Sequence, residues 1–290
     1  MSLTTYLKRG IHYVLHGEPV KKVFAHVVVL APSEMLKGRT ALITGGTSGI
    51  GFEIAKAYIN AGATCIITGR NIEKIKNACI QINSEVINKG HIYGIELNNT
   101  EVSSMKLKLD EILKIVPSHK IDILVNNAGI VGGEIKDCTE ETYDQIVDTN
   151  LKGVFFLSQT LGRYMCDNHI EGNILNIGSS SCLRPATSAY TLTKNAILGF
   201  TKGLAKILSP HGITVNGISP GPTATPMLMP NGIKDDIAFP NQLGRYELPE
   251  EIANMAVFLV SNMGKSIIGD MVFMTGGSGV VTFDDVQYSF

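Results

Sequence analysis

After Lys37, short runs of apolar and β-branched residues alternate with longer stretches whose apolar positions follow a helical repeat. Seven runs read as strands: 41–44, 64–68, 91–95, 122–126, 173–177, 213–218 and 271–274. Most neighbouring pairs are separated by a helical stretch. That alternation predicts a single α/β domain over 37–290, a doubly wound parallel sheet of about seven strands with helices on both faces. Antiparallel hairpins would need Asn-Gly or Asp-Gly turns directly joining consecutive strands, and none joins two of these runs; Asn231-Gly232 stands well away from both 213–218 and 271–274.

Residues 1–36 fall outside this rhythm. The run 20–32, VKKVFAHVVVLAP, predicts one further strand closed by Pro32, packed along the domain or against a neighbouring subunit, with His26 structural. Composition narrows the function classes. At 290 residues and 44% hydrophobic content the chain is globular, and 25 Lys and Arg against 26 Asp and Glu leave no charge to draw nucleic acid or an anionic membrane. The expected partner is a small molecule.

Five widely spread cysteines with no CxxC pair indicate neither a disulfide framework nor a zinc site, so no metal is expected. A reducing cytoplasm is the expected location. His12, His16 and Glu18 interrupt the N-terminal apolar residues, unlike a signal-peptide core, and no run reaches the roughly 18 apolar residues of a membrane span.

The stretch 41–58, ALITGGTSGIGFEIAKAY, passes from strand to helix through four glycines. Gly45 sits where a sharp turn needs backbone angles that a Cβ disfavours. Gly49 and Gly51 open the helix, where a missing side chain admits an anionic group to free amides and lets helix and strand pack closely. A Walker loop would place Lys and Ser or Thr after the last glycine, but Phe52 and Glu53 follow Gly51, so a dinucleotide fits better than a hydrolysable triphosphate. At the end of the second strand Gly69 occupies the place of the acid that holds the adenine ribose in NAD sites, and Arg70 follows it. A guanidinium there suits the 2′-phosphate of NADP.

Tyr190 and Lys194 lie four apart on a helical pattern and so share a face. A phenol titrates near ~10 in water, and the expectation is that the neighbouring ammonium lowers it. Ser179, Ser180 and Ser181 follow the strand at 173–177, at the sheet's carboxyl edge, where ligands of parallel sheets bind. Asn127 and Asn150 stand in similar settings.

In combination these motifs resemble the short-chain dehydrogenase/reductase family: TGxxxGxG at Thr44 to Gly51, NNAG at Asn126 to Gly129, YxxxK at Tyr190 to Lys194, and PG at Pro220 and Gly221. The resemblance covers about residues 37–277, and the motifs occur in the family's order. It implies a Rossmann-type fold and hydride transfer between NADP(H), or less favourably NAD(H), and a carbonyl/alcohol substrate. By that resemblance Tyr190 is the acid/base, Lys194 tunes it and holds the nicotinamide ribose, and Asn150 holds a relay water. A serine binds the substrate oxygen: Ser179, with Ser180 second, because the loop before Tyr190 is as though two residues shorter than usual.

The implied cofactor contacts are Gly45, Thr47, Ser48, Gly49, Ile50, Gly51, Arg70, Asn127, Ala128, Gly129, Tyr190, Lys194, Pro220, Gly221, Thr223 and Thr225. The third strand lacks the family's aspartate, which passes the adenine contact to Glu96 or its neighbours. The alternative is a catalytically idle member that binds dinucleotide as a regulator. The segment 223–247 resembles the family's substrate loop, with Met227, Leu228 and Met229 as an apolar wall. Stretches 148–168 and 189–208 carry apolar residues on more than one side, which predicts a homodimer or homotetramer.

Overall fold

A computed structural model describes residues 31–87, 90–229, 232 and 237–284. The strand expected within 20–32 lies almost wholly outside them. Seven strands form one parallel sheet in the order β3-β2-β1-β4-β5-β6-β7: β1 Thr40–Ile43, β2 Thr64–Gly69, β3 Ile92–Glu96, β4 Ile123–Asn126, β5 Asn173–Ile177, β6 Thr214–Pro220 and β7 Met271–Met274. Two strands, β5 and β7, match the sequence expectation to the residue, and the others move by one or two positions at one or both ends, where pairing with a neighbour decides the edge.

The alternation of side chains along each strand divides the core into two layers. Ala41, Ile43, Cys65, Ile67, Ile123 and Val125 face one way, packing with α1 (Gly49–Asn60), α2 (Ile72–Glu85) and α7 (Pro249–Val260). Leu42, Ile66, Leu124 and Ile174 face the other way, against α3 (Met105–Ile115), α5 (Gly153–Asp167) and α6 (Ala189–Leu208). A short helix, α4 (Glu140–Val147), leads into α5 through a π-helical turn at Asp148–Lys152. Leu36, just before the glycine-rich strand unit, is already fully buried in the first layer.

A buried polar relay ties the middle of the sheet to the helix that carries the tyrosine. Asn126 donates to Ser158 on α5 (2.9 Å) and to Asn176 on β5 (2.8 Å), and Asn176 donates to Thr201 on α6 (2.9 Å). Such groups are costly to bury unless paired, so their pairing fixes one register of α6 against β5. No helix among the described residues is long and apolar enough to cross a membrane.

Candidate active site

The strand order reverses between β1 and β4, and the crevice opens outside their carboxyl ends, as expected at a topological switch point. It forms a cleft of about 490 Å³. Of the catalytic and cofactor-contact residues expected from sequence, all line this cleft except Gly51 and Asn150.

Gly45 leaves β1 at φ +64°, and a Cβ on it would come 2.8 Å from the Ala128 Cα, so bare backbone here lets β1 and β4 approach. Gly49 begins α1 at φ +57° with Thr225 facing it. The N-cap residue of α1, Ser48, makes no side-chain cap hydrogen bond, which leaves first-turn N–H groups aimed into the cleft. Gly51 does only half of what its spacing suggested. Its missing Cβ faces Asn127 and the Gly45 carbonyl oxygen (2.6 Å), so it serves close packing rather than the approach of an anion. Asn127 in turn donates to the Thr44 and Gly45 carbonyls at 2.9 and 3.0 Å, bracing the turn.

Gly69 and exposed Arg70 border the same end of the cleft, and a Cβ on Gly69 would lie 3.1 Å from the Thr47 methyl. Of the residues expected near the adenine, Glu96 or its neighbours, the Glu96 side chain is exposed and off the cleft, whereas the following Leu97, Asn98 and Asn99 line it. β3 ends at Glu96, so the chain turns into the cleft only at the following residues. Two buried groups in this wall, Thr68 Oγ1 and Asn99 Nδ2, have no hydrogen-bond partner among the described residues. Orphaned polar atoms beside a glycine cradle and unpaired helix amides fit a polar, phosphate-bearing dinucleotide.

The other end of the cleft, where Tyr190 and Lys194 lie, is built from side chains. α6 starts with a capping box: Ser188 Oγ accepts from the Thr191 amide (3.1 Å), and Thr191 Oγ1 accepts from the Ser188 amide (3.0 Å). The Ala189 and Tyr190 amides donate to the carbonyls of Gly133 and Gly132 at 2.8 and 3.4 Å. The first turn, and Tyr190 with it, is therefore pinned from both sides. One turn later Lys194 is buried, donates to the Ile177 carbonyl (2.8 Å), and holds its Nζ 5.6 Å from the centre of the Tyr190 ring. Burial lowers the Lys194 ammonium to about 8.

The expected lowering of Tyr190 is not what the structure has. Burial raises its hydroxyl above the ordinary tyrosine value, with nearby Cys182 adding to the rise, while a hydrogen bond from Ser179 opposes it. The ammonium lies over the ring rather than at the hydroxyl, so burial wins.

Ser179 caps a short 3-10 turn, Ser180–Leu183, directly after β5, and its partnership with Tyr190 favours it over Ser180. Asn150, 1% exposed, sits in the π-helical turn behind the wall. Its Oδ1 accepts from the Ile130 amide (2.9 Å), and its Nδ2 donates to the Ile130 carbonyl (2.8 Å) and Thr193 (3.3 Å). Both amide hydrogens are thus committed to holding the Gly129–Ile130 segment against α6.

Sequence reasoning missed Thr68, Ile130, Val131, Thr149 and Pro222, all of which line the cleft. Each stands next to, or within a few residues of, a recognised motif or strand end, so position relative to the sheet's carboxyl edge was the available signal. Of the expected substrate loop, 230, 231 and 233–236 lie outside the described residues. Met227 and Leu228 line the mouth half exposed.

Another buried group lies at this end. Glu247 is 4% exposed, and neither of its carboxylate oxygens has a hydrogen-bond partner of ordinary geometry among the described residues. Oε1 lies 2.9 Å from where a Cβ on Gly221 would be and 2.7 Å from one on Gly276. Burial pushes this carboxyl up to about 7, helped by Glu251 and opposed by its own backbone N–H and Arg245.

The family described as short chain dehydrogenase matches residues 39–236. The chain is 35% identical over 247 residues to 3-oxoacyl-(acyl-carrier-protein) reductase FabG of Aquifex aeolicus, covering 83% of this chain and 98% of that one. It is 32% identical over 252 residues to gluconate 5-dehydrogenase of Gluconobacter oxydans, covering 83% and 95%. Among solved structures, a short chain dehydrogenase from Burkholderia cenocepacia in complex with NADP superposes with a TM-score of 0.72 at 30% identity, over 83% of this chain and 98% of that one.

Proposed function

The chain belongs to the short-chain dehydrogenase/reductase family and is an NAD(P)-dependent oxidoreductase; from that premise we propose that it interconverts an uncharged carbonyl compound and its alcohol with NADP(H). The observation that carries this reading is the convergence of Ser179, Tyr190 and Lys194 on one cleft with the glycine cradle. That assembled set speaks against the catalytically idle alternative.

When bound, the nicotinamide ring supplies or accepts the hydride. The chain's own residues handle binding and the proton. Gly45, Ser48, Gly49 and the first turn of α1 receive the pyrophosphate, Asn98 and Asn99 border the adenine, and Pro220, Gly221, Thr223 and Thr225 flank the carboxamide. Arg70 meets the 2′-phosphate, in a place where Gly69 offers no competing acid. Lys194 has one donor on Ile177 and two more for the ribose hydroxyls.

In reduction, Tyr190 gives its proton to the substrate oxygen, and burial keeps that proton in place at neutral pH. Ser179 donates a hydrogen bond to the same oxygen as charge develops on it. The buried ammonium of Lys194 steadies the tyrosinate that remains. Asn150 holds the Gly129–Ile130 wall, a positioning role rather than contact with the reacting atoms.

The substrate end supports a neutral, apolar compound. Val131, Met227 and Leu228 form its mouth, and Arg70 and Lys194, the two cations among the described lining residues, are both assigned to the cofactor. An acyl thioester or polycyclic ketone suits that wall better than a sugar acid. We also assign the exposed Phe155 on α5, and Leu192 and Ile207 on α6, to a contact with a second copy of the chain. Five free thiols suit a reducing cytoplasm.

The test is loss of NADPH absorbance with a panel of ketones, aldehydes, 3-oxoacyl thioesters and keto-sugar acids. Turnover of neutral apolar carbonyls is expected. Binding of NADPH without turnover across the panel would favour the idle reading, and turnover confined to sugar acids would overturn the substrate assignment.

A further inference from the structure

The hydroxyl of Ser179 does not stand alone. Two residues on, Ser181 donates to Ser179 Oγ twice, from its backbone N–H at 3.2 Å and from its own Oγ at 2.8 Å. A serine oxygen has two acceptor sites and one proton. With both acceptor sites filled, Ser179 has only its proton to offer, which leaves it a donor in the cleft that it lines together with Tyr190. The turn carrying both serines is itself held. Arg184 donates to Ser278 Oγ, to the Thr282 carbonyl and to the Phe283 carbonyl, each at 3.2 Å, and so fastens the short serine loop to the chain's last described turn.

We propose that Ser181 is a positioning residue that locks Ser179 as a one-way hydrogen-bond donor to the reacting oxygen. Without Ser181 Oγ, Ser179 regains an acceptor site and can take a hydrogen bond from the Tyr190 hydroxyl. That opposite polarity ties up the proton Tyr190 must give to substrate and withdraws the bond that favours the tyrosinate. The inference rests on the assignment of Ser179 and Tyr190 as catalytic residues.

Ser181→Ala removes the hydroxyl and keeps the backbone donor. Loss of one ordering hydrogen bond predicts a roughly five- to ten-fold lower kcat for ketone reduction with NADPH affinity unchanged. The basic limb of the rate profile, where Tyr190 loses its proton, moves to higher pH because the bond that lowers its pKa is weakened. Ser181→Thr restores both. An alanine variant with unaltered kcat and an unmoved limb overturns the inference, as does a threonine variant that fails to rescue while melting at the parental temperature. Tyr190→Phe separates the two levels. If it retains activity, the catalytic assignment itself fails; if it is dead while Ser181→Ala behaves as the parent, only the role of Ser181 fails.

Discussion

The two ends of the cleft are made of different material. The end that receives the dinucleotide is mostly backbone: bare glycines, unpaired helix amides and the turns after β1 and β4. The proposed catalytic end is side chains, two of them held through partners from other segments, Lys194 on Ile177 and Asn150 on Ile130 and Thr193. A backbone-built site is damaged by what is added to it. A side-chain-built site is damaged by what is removed, and its electrostatics depend on burial that no short motif encodes.

The sharpest way to test that contrast is to remove one atom at the catalytic end. Tyr190→Phe leaves the fold and NADPH binding intact and should lower kcat by about 10²–10⁴-fold, the usual range for a positioned proton donor. Steady-state rates with parallel NADPH titration check it, and a variant that loses binding and turnover equally would blur the distinction. At the other end the damaging change is an addition. Gly51→Ala drives a Cβ into Asn127 and the Gly45 carbonyl, where backbone cannot yield cheaply, and should cost about 1–3 kcal/mol of stability along with dinucleotide affinity. Urea denaturation with and without NADPH reads both.

Glu247 tests whether the catalytic end bears a burial cost of its own. Its folded-state pKa of about 7 lies above the ordinary 4.5, so the folded protein binds the extra proton, and stability falls as pH rises through that interval. Glu247→Gln removes the penalty. The variant should match the parent near pH 5 and exceed it at pH 8 by on the order of 2 kcal/mol in denaturant midpoints converted to free energy. An equal difference at both pH values would mean that proton binding is not its cause. The smallest effect belongs to the exposed Arg70. Arg70→Ala should weaken NADPH binding by about ten-fold and leave NADH nearly unchanged, since only the 2′-phosphate loses a partner. Equal losses for both cofactors, or a parent that prefers NADH, would show Arg70 to be a loop residue only.

The sheet was legible because each strand announces itself by a run of β-branched residues, and its parallel sense by the helical stretches between runs. The glycine cradle was legible too, since only a residue without a Cβ reaches φ +64° at Gly45 cheaply. Which of Glu96 and its neighbours faces the cleft was not legible, because strand length, not motif, decides where the chain turns inward, and β3 runs one residue past the point that hydrophobicity marks. Gly51 misled because spacing alone does not say whether a missing side chain faces a ligand or another part of the chain. Ser181 looked like one polar residue in a run of three until the turn after β5 folded it back onto Ser179.

By itself the sequence determined the layer order, the family and the candidate reacting side chains, because those depend on local periodicity and on residue types that few other purposes bring together at that spacing. Only the tertiary structure decided the protonation chemistry. Tyr190 and Lys194 are neighbours on one helix in any reading, and proximity alone argues for a lowered phenol. Packed against β5 and the serine turn, both are instead shifted against their charged forms, with Tyr190 raised and Lys194 lowered. The reason is physical: the cost of burying a charge is set by everything that surrounds it, and those surroundings come from segments that meet only when the chain is folded.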